Sequence, residues 1–283
     1  MSGRTGVTAF LFTLTVAVLP VGAAAREQAA RPPATCPLPP AEASVGAGIH
    51  AALDALVRAF VRDGDVDYRC FQTHEAALDD YIATLGRTDP GALSRDEALA
   101  FWINAYNAFT IKLILSRYPR IGSIKDIPRR WDRRDWVVGG RRRSLNDIEH
   151  DILRKEFAEP RIHFAIVCAS ASCPKLASEA YAAGRLDEQL NRAARGFLAD
   201  PIRGVRVEVE RRGTDGGRAR VHLSSIFKWF REDFEARTGS LIDFILPYLA
   251  PEDRGVLELR RNDVSIRFLP YDWTLNDSRP AAP

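Results

Sequence analysis

The sequence predicts an α+β fold: one helix-rich globular domain with a small, mainly antiparallel sheet. Two observations carry this expectation. Apolar residues recur at helical spacing in several separate segments, and the few strand-like runs gather in the second half of the chain. The composition sets the class. With 283 residues, 46% hydrophobic and 27% charged, the chain has the make-up of an ordinary globular protein. Forty Lys and Arg against thirty-seven Asp and Glu give a formal charge of +3, which suits neither an acidic disordered tail nor a basic nucleic-acid coat.

The elements follow in order. Residues 1–25 read as a signal peptide: Arg4 is the positive start, Val7 to Val21 is apolar, and Ala23-Ala24-Ala25 offers a cleavage site. The apolar run is about 15 residues, short of the roughly 20 that a membrane-spanning helix needs. Residues 26–45 are a Pro/Ala-rich linker. Pro33-Ala34-Thr35 before Cys36 lacks the leucine of a lipoprotein cleavage box. The mature chain is therefore expected to be periplasmic or secreted, with no stable membrane insertion. Residues 46–283 form a single domain.

Within it, Ile49, Leu53, Leu56, Val57 and Phe60 predict a helix over 46–62, followed by a turn and a short extended piece over 64–71. A second helix covers 74–86. Ser94 caps a long helix over 95–117, which ends before Pro119. Residues 121–143 are irregular, with a hairpin turning at Gly139-Gly140. Ser144-x-x-Asp147 opens a helix that runs to about residue 157. Ile162 to Cys168 reads as a buried strand, and Cys173-Pro174 as the start of a helix. A helix over 186–198 follows, then strands at Val205–Val209 and Arg218–Leu223. Another helix starts at Ser224 or Ser225, one more covers 240–249, and Val264, Ile266 and Phe268 alternate as a last strand.

Three stretches carry candidate chemistry. The helix Phe101–Leu115 is apolar nearly all round and therefore buried, with Asn104, Asn107 and Thr110 as a narrow polar stripe. These amides either tie neighbouring loops to the helix or face an interior site, with Trp102 and Asn107 against a substrate. The helix from Ser144 carries His150. Asn146 and Asp147 share its face, whereas Glu149 points about 100° away on an α-helix and is a poor orienter. The densest stretch, Arg161–Leu176, delivers Cys168 at a strand end, followed by Ser170, Ser172 and Cys173 before a helix start.

Such a start lowers a thiol pKa and supplies N–H groups for an oxyanion. Cys168 is then a nucleophile with a His base, half of a Cys168–Cys173 disulfide, or, with His150, His163 and Cys173, a zinc ligand. The zinc spacings match no common finger, and no cofactor or metal is expected. The segment Arg129–Arg143 mixes Arg and Trp, which suits stacked pairs on a solvated loop or a glycan or peptide surface. An exported chain of near-neutral charge argues against nucleic acid. Phosphate-binding and metalloprotease motifs are absent from the sequence.

Five blocks in order resemble the domain of unknown function 547 family. They are Phe101-Trp-Ile-Asn-Ala-Tyr-Asn107, Ser144-Leu-Asn-Asp-Ile-Glu-His150, Arg161–Pro174, Leu223-Ser-Ser-Ile-Phe-Lys-Trp229 and Tyr271-Asp-Trp-Thr-Leu-Asn276, across roughly 65–276. The resemblance implies an exported bacterial protein, and places the family's Trp-Ile-Asn, Glu-His and Cys-x-x-x-Ser-x-Pro elements on Asn104, His150 and Cys168, Ser172 and Pro174.

A thiol, a His and an Asn are similar to papain-like chemistry in the reverse chain order, and triads are set by geometry rather than order. The first expectation is a cysteine-dependent hydrolase or acyltransferase acting on an amide or thioester. Cys168 attacks, His150 is the base, Asn104 or Asp147 orients the ring, and His163, Ser170 and Ser172 face the small-molecule or peptide substrate. The alternative is a non-enzymatic envelope module that binds a peptide, glycan or protein. The third expectation is thiol–disulfide exchange through Cys168 and Cys173.

Overall fold

The computed structural model describes Gly3, residues 35–40, Glu42, 46–210 and 218–278. The expected signal peptide, apart from Gly3, and most of the expected linker lie outside the described residues. Cys36–Pro283 forms one compact unit.

Helix α4, Arg95–Leu115, is its axis. Ser94 starts it through a capping box, with its own N–H donated to Glu97 Oε2 at 2.9 Å. From Ala98 to Ile111 every residue is buried, as an all-round apolar helix requires. It is long and apolar enough to cross a membrane, but its faces are covered by the protein itself. Helices α2 (Tyr68–Thr73) and α3 (Glu75–Arg87) pack beside it, and α1 (Ala51–Phe60) packs on both of them.

Helix α2 lies where a turn and an extended piece were expected. Only the two-residue strands β1 (Val61–Arg62) and β2 (Asp65–Val66) are extended, and Asp67 then accepts the Cys70 N–H at 3.0 Å to start the helix. A six-residue helix is too short for its period to show in sequence. A disulfide from Cys36 to Cys70 ties the chain N-terminal to α1 onto it, at a Cα separation of 5.3 Å.

The hairpin at Gly139-Gly140 forms from β3 (Trp136–Val138) and β4 (Arg141–Arg143), with both glycines at positive φ. A three-stranded sheet joins β5 (Val205–Glu210), β6 (Arg218–Leu223) and β7 (Val264–Phe268). Strands β5 and β6 are antiparallel, whereas β7 lies parallel to β6. The parallel pairing follows from the helices between them: α7 (Ile226–Trp229), α8 (Arg231–Thr238), α9 (Leu241–Ile245) and α10 (Pro251–Leu259). The helix expected over 240–249 is α9 continued by a 3-10 turn, Leu246–Tyr248. Phe164, Phe227, Phe234 and Phe244 fill the core under this sheet, with Phe227 and Phe234 ring centroids 4.5 Å apart.

The fold is thus the expected helix-rich α+β with small sheets, in which β7 supplies the parallel exception. One expected strand is absent. Residues 162–168 run as a 3-10 turn, Pro160–Phe164, and then as irregular chain. Their apolar side chains are buried as foreseen, but no strand pairs with them. The Asn107 amide takes the partner's place. It donates to Ala165 O at 2.9 Å and accepts the Val167 N–H at 2.9 Å.

Truncation of Asn107 to Ala leaves a buried carbonyl and a buried N–H unpaired. We expect a cost of roughly 2–5 kcal/mol in denaturant unfolding, with amide exchange at Val167 accelerated above that of the α4 amides. A loss under about 0.5 kcal/mol would show that water substitutes for the amide.

Candidate active site

Three elements converge on a pocket of about 190 Å³. Helix α4 contributes Tyr106, whose ring is buried. The second element is a π-helical turn, Asp147–Leu153, which continues into α5 (Arg154–Phe157). Its start is fixed by reciprocal bonds: Asp147 N–H donates to Ser144 Oγ at 3.0 Å, and Ser144 N–H to Asp147 Oδ2 at 2.8 Å. The i→i+5 turn is wider than an α-turn, so consecutive residues diverge by less than about 100°. Glu149 and His150 therefore both line the pocket.

The third element is the loop 168–173. Its N–H groups are not those of a helix start, and the next helical residues come only at Ala183–Arg185 and α6 (Leu186–Leu198). The C-terminal segment satisfies them instead. Ala171 N–H donates to Thr274 O at 2.7 Å and Ser172 N–H to Asp272 O at 3.1 Å, while Ser172 Oγ accepts from Asp272 N at 2.8 Å. Lowering of the Cys168 pKa by a helix N-terminus is thus ruled out by the path of the chain. The same segment brings Tyr271 and Trp273 to the pocket.

Cys168 and Cys173 form a disulfide, with Cα atoms 6.2 Å apart. Cys173 is 3% exposed, whereas Cys168 is only partly buried. Hydroxyls surround the sulfurs. Tyr271 Oη lies 3.2 Å from Cys168 Sγ and 3.3 Å from Cys173 Sγ, Ser170 Oγ lies 3.1 Å from Cys168 Sγ, and Cys168 N–H donates to Cys173 Sγ at 2.9 Å. Burial holds the Tyr271 hydroxyl far above its ordinary pKa, so it remains a donor.

Two acids define the electrostatics. Burial pushes the Glu149 carboxyl up to about 7, against the opposing Tyr106 O–H, which donates to it at 2.9 Å. Asp233, on α8, is the reverse. Burial acts to raise it, but bonds from His163 Nε2 at 2.7 Å and from Arg154 Nε and Nη2 at 2.6 and 2.8 Å hold it ionised. Arg154 also reaches His150 Nδ1 at 3.0 Å. A guanidinium only donates, so Nδ1 accepts, and neutral His150 carries its proton on Nε2. Burial and Arg154 both lower the His150 pKa, which keeps the ring neutral.

The structure brings Cys168, His150 and His163 of the expected residues to one pocket. Ser170 and Ser172 lie in the loop beneath it. The Asn104 amide is spent on Tyr181, donating to its O at 2.8 Å and accepting its N–H at 2.9 Å. Asn107 holds the approach to Cys168. Asp147 caps the π-turn and pairs with Arg134 at 2.9 Å. Trp102 is buried beside Phe101 and lines a different cavity, under Gly139-Gly140. In the Arg/Trp stretch, Arg130 lies over Trp131 and Trp136 stacks on Phe109 at 4.7 Å. The four residues of the zinc alternative line this one pocket, but the sulfurs bond each other and His163 bonds Asp233. Among the described residues no group of three such side chains is placed to hold a metal ion.

Sequence reasoning missed Glu149, Tyr106, Arg154, Asp233 and Tyr271. A Glu beside a His within an apolar stretch was the available signal for Glu149, discounted on α-helical spacing.

The site of this α+β domain is thus a cystine in one pocket with a buried carboxyl of raised pKa. Residues 90–198 match the family model described as "Protein of unknown function, DUF547". The match takes in α4, the Glu149–His150 turn, the cysteine loop and α6, and excludes the Leu223–Trp229 and Tyr271–Asn276 blocks. Neither the curated proteins nor the solved structures contain a match to this chain.

The raised Glu149 pKa has a signed consequence. A carboxyl that prefers to be protonated when folded stabilises fully below its ordinary 4.5, and this stability is lost as pH rises through about 7. Thermal unfolding should show Glu149→Gln gaining on the natural protein by about 3 kcal/mol between pH 4.5 and pH 8. A pH-independent difference would mean that Glu149 ionises as an exposed carboxyl does.

Proposed function

We propose that this domain catalyses thiol–disulfide exchange through Cys168 and Cys173, in an oxidising compartment outside the cytoplasm, periplasmic or secreted. One observation carries the reading: a disulfide between the partly buried Cys168 and the buried Cys173 lines the same pocket as a carboxyl that burial pushes up to about 7. The apolar leader and the second disulfide, Cys36–Cys70, support the compartment.

A substrate thiolate attacks Cys168 Sγ, the Cys168–Cys173 bond breaks, and Cys173 leaves with the electron pair. Donation from Cys168 N–H and Tyr271 O–H stabilises that thiolate, and Glu149, protonated below about 7, is the proton source in the pocket. A second substrate thiolate attacks the substrate sulfur of the mixed disulfide and releases Cys168, beside the hydroxyls of Ser170 and Tyr271. The substrate loses two electrons and two protons, and the protein gains them as two thiols. A low-molecular-weight disulfide then reoxidises the pair for the next turnover.

A hydrolase with Cys168 as acyl nucleophile is the second reading, favoured by His150 lining the same pocket. It needs an imidazole lone pair toward the thiol, whereas the Arg154 bond leaves a proton on Nε2.

The cysteines separate the readings. The oxidised protein, mixed with a reduced two-cysteine peptide and quenched by alkylation, should convert one equivalent of dithiol, with Cys168→Ser and Cys173→Ser each slower by about a hundredfold or more. An acyl nucleophile needs only Cys168, so a Cys173→Ser protein that retained or gained esterase activity would favour the hydrolase. Indifference to both substitutions would leave a binding module.

A further inference from the structure

Resting on the exchange reading, we propose that the substrate thiol is a cysteine within a polypeptide chain, held by a peptide carbonyl on His150 Nε2–H and by flanking residues on Trp229 and Trp273. The first support is the relay behind His150. His163 Nε2–H donates to Asp233 at 2.7 Å, Asp233 holds Arg154 through two bonds, and Arg154 donates to His150 Nδ1 at 3.0 Å. His163 is clamped in turn by Phe230, with ring centroids 4.0 Å apart. Every member is fixed by its neighbour, so His150 presents one donor in one tautomer. A neutral N–H donor selects an acceptor, and the acceptor recurring at every residue of a polypeptide is the amide carbonyl.

Size supplies the second support. The pocket's 190 Å³ is below the roughly 300–1,000 Å³ of sites that enclose a small-molecule ligand. It accommodates a single side chain, and the rest of the substrate must lie outside. Outside is an aromatic shelf. Trp229 is 46% exposed, although tryptophan is usually well buried, and it stacks on Trp273 with centroids 5.8 Å apart. Tyr271, whose hydroxyl touches both sulfurs, lies 4.8 Å from Trp229 and joins the shelf to the disulfide. Lys125 caps Trp273 at 5.0 Å, which leaves Trp229 as the open surface. Such rings take apolar side chains and peptide planes without selecting a particular sequence. Arg154, Asp233 and His163 are positioning residues in this scheme.

The test compares two dithiols as reductants of the oxidised full-length chain in a single turnover: a two-cysteine peptide with apolar flanking residues, and dithiothreitol, which has neither carbonyl nor flanks. The readout is the ratio of the two rates. His150→Ala and Trp229→Ala should each lower it by about tenfold, the loss of one hydrogen bond or one aromatic contact, and His150→Gln, which keeps a donor, should restore part of it.

A ratio unchanged in both Ala variants overturns the proposal while leaving exchange intact. If neither dithiol reduces the natural protein's Cys168–Cys173 bond, exchange itself is overturned. The relay is read separately by nitrogen NMR of the imidazoles. His150 Nδ1 should show the unprotonated shift in the natural protein, and Arg154→Lys should move it toward a tautomer mixture. A protonated Nδ1 in the natural protein overturns the carbonyl subsite.

Discussion

The cysteine loop belongs to no helix or strand, so most of its buried backbone groups are satisfied by distant residues, and the rest of the site is arranged around that requirement. On one side, Asn107 bonds Ala165 and Val167 and fixes the approach to Cys168. On the other, residues 272–276 bond Ala169, Ala171 and Ser172. Ala169 adopts a positive φ of 59°, which a non-glycine residue keeps only where its surroundings hold it. The same clamps explain the position of Tyr271. It faces the sulfurs because the segment that closes the loop begins there. A loop held by side-chain amides and a returning strand-like segment can present a disulfide to a pocket while its backbone stays dry.

The two acids beside it are shifted in opposite directions by unequal partnership. Asp233 receives a guanidinium fork and an imidazole N–H, enough to outweigh burial. Glu149 receives one phenol O–H, with Arg154 acting on it only through space, and burial wins. Pairs of titratable groups driven apart in this way mark acid–base sites. The acid of raised pKa lines the sulfurs' pocket, while the ionised one holds Arg154. A carboxyl that binds its proton up to about 7 thereby lies in the pocket of the disulfide, and a negative charge is kept where it holds Arg154.

Much of the scaffold was legible in the sequence, because it depends on local signals. The Ser94 cap, the apolar run of α4, the Gly139-Gly140 turn and the Ser144-x-x-Asp147 start each express a short-range rule, and each appears in place. What escaped depends on long range. Residues 162–168 have the composition of a strand, but a strand needs a partner, and a side chain 60 positions away takes that role. The helix expected at Cys173-Pro174 fails because N–H groups two and one positions earlier are already bonded to the C-terminal segment. The parallel addition of β7 depends on four intervening helices, of which two were not apparent. Glu149 was misplaced by one assumption: regular α-helical spacing through residue 150, where the chain widens into a π-turn.

The motif Glu149-His150 shows why a residue pair does not specify a mechanism. For Nε2 to act as a base, the imidazole needs an acceptor behind Nδ1 to hold the proton there. Here the group behind Nδ1 is Arg154, one helical turn further on, which can only donate. Exchanging a carboxylate for a guanidinium at that position inverts the ring from base to donor with no change in either motif residue. The carboxylate that would have oriented a base, Asp233, is present but one step removed, bound to Arg154 instead of His150. Glu149, beside it, is pushed by burial to about 7, the range an unperturbed histidine occupies.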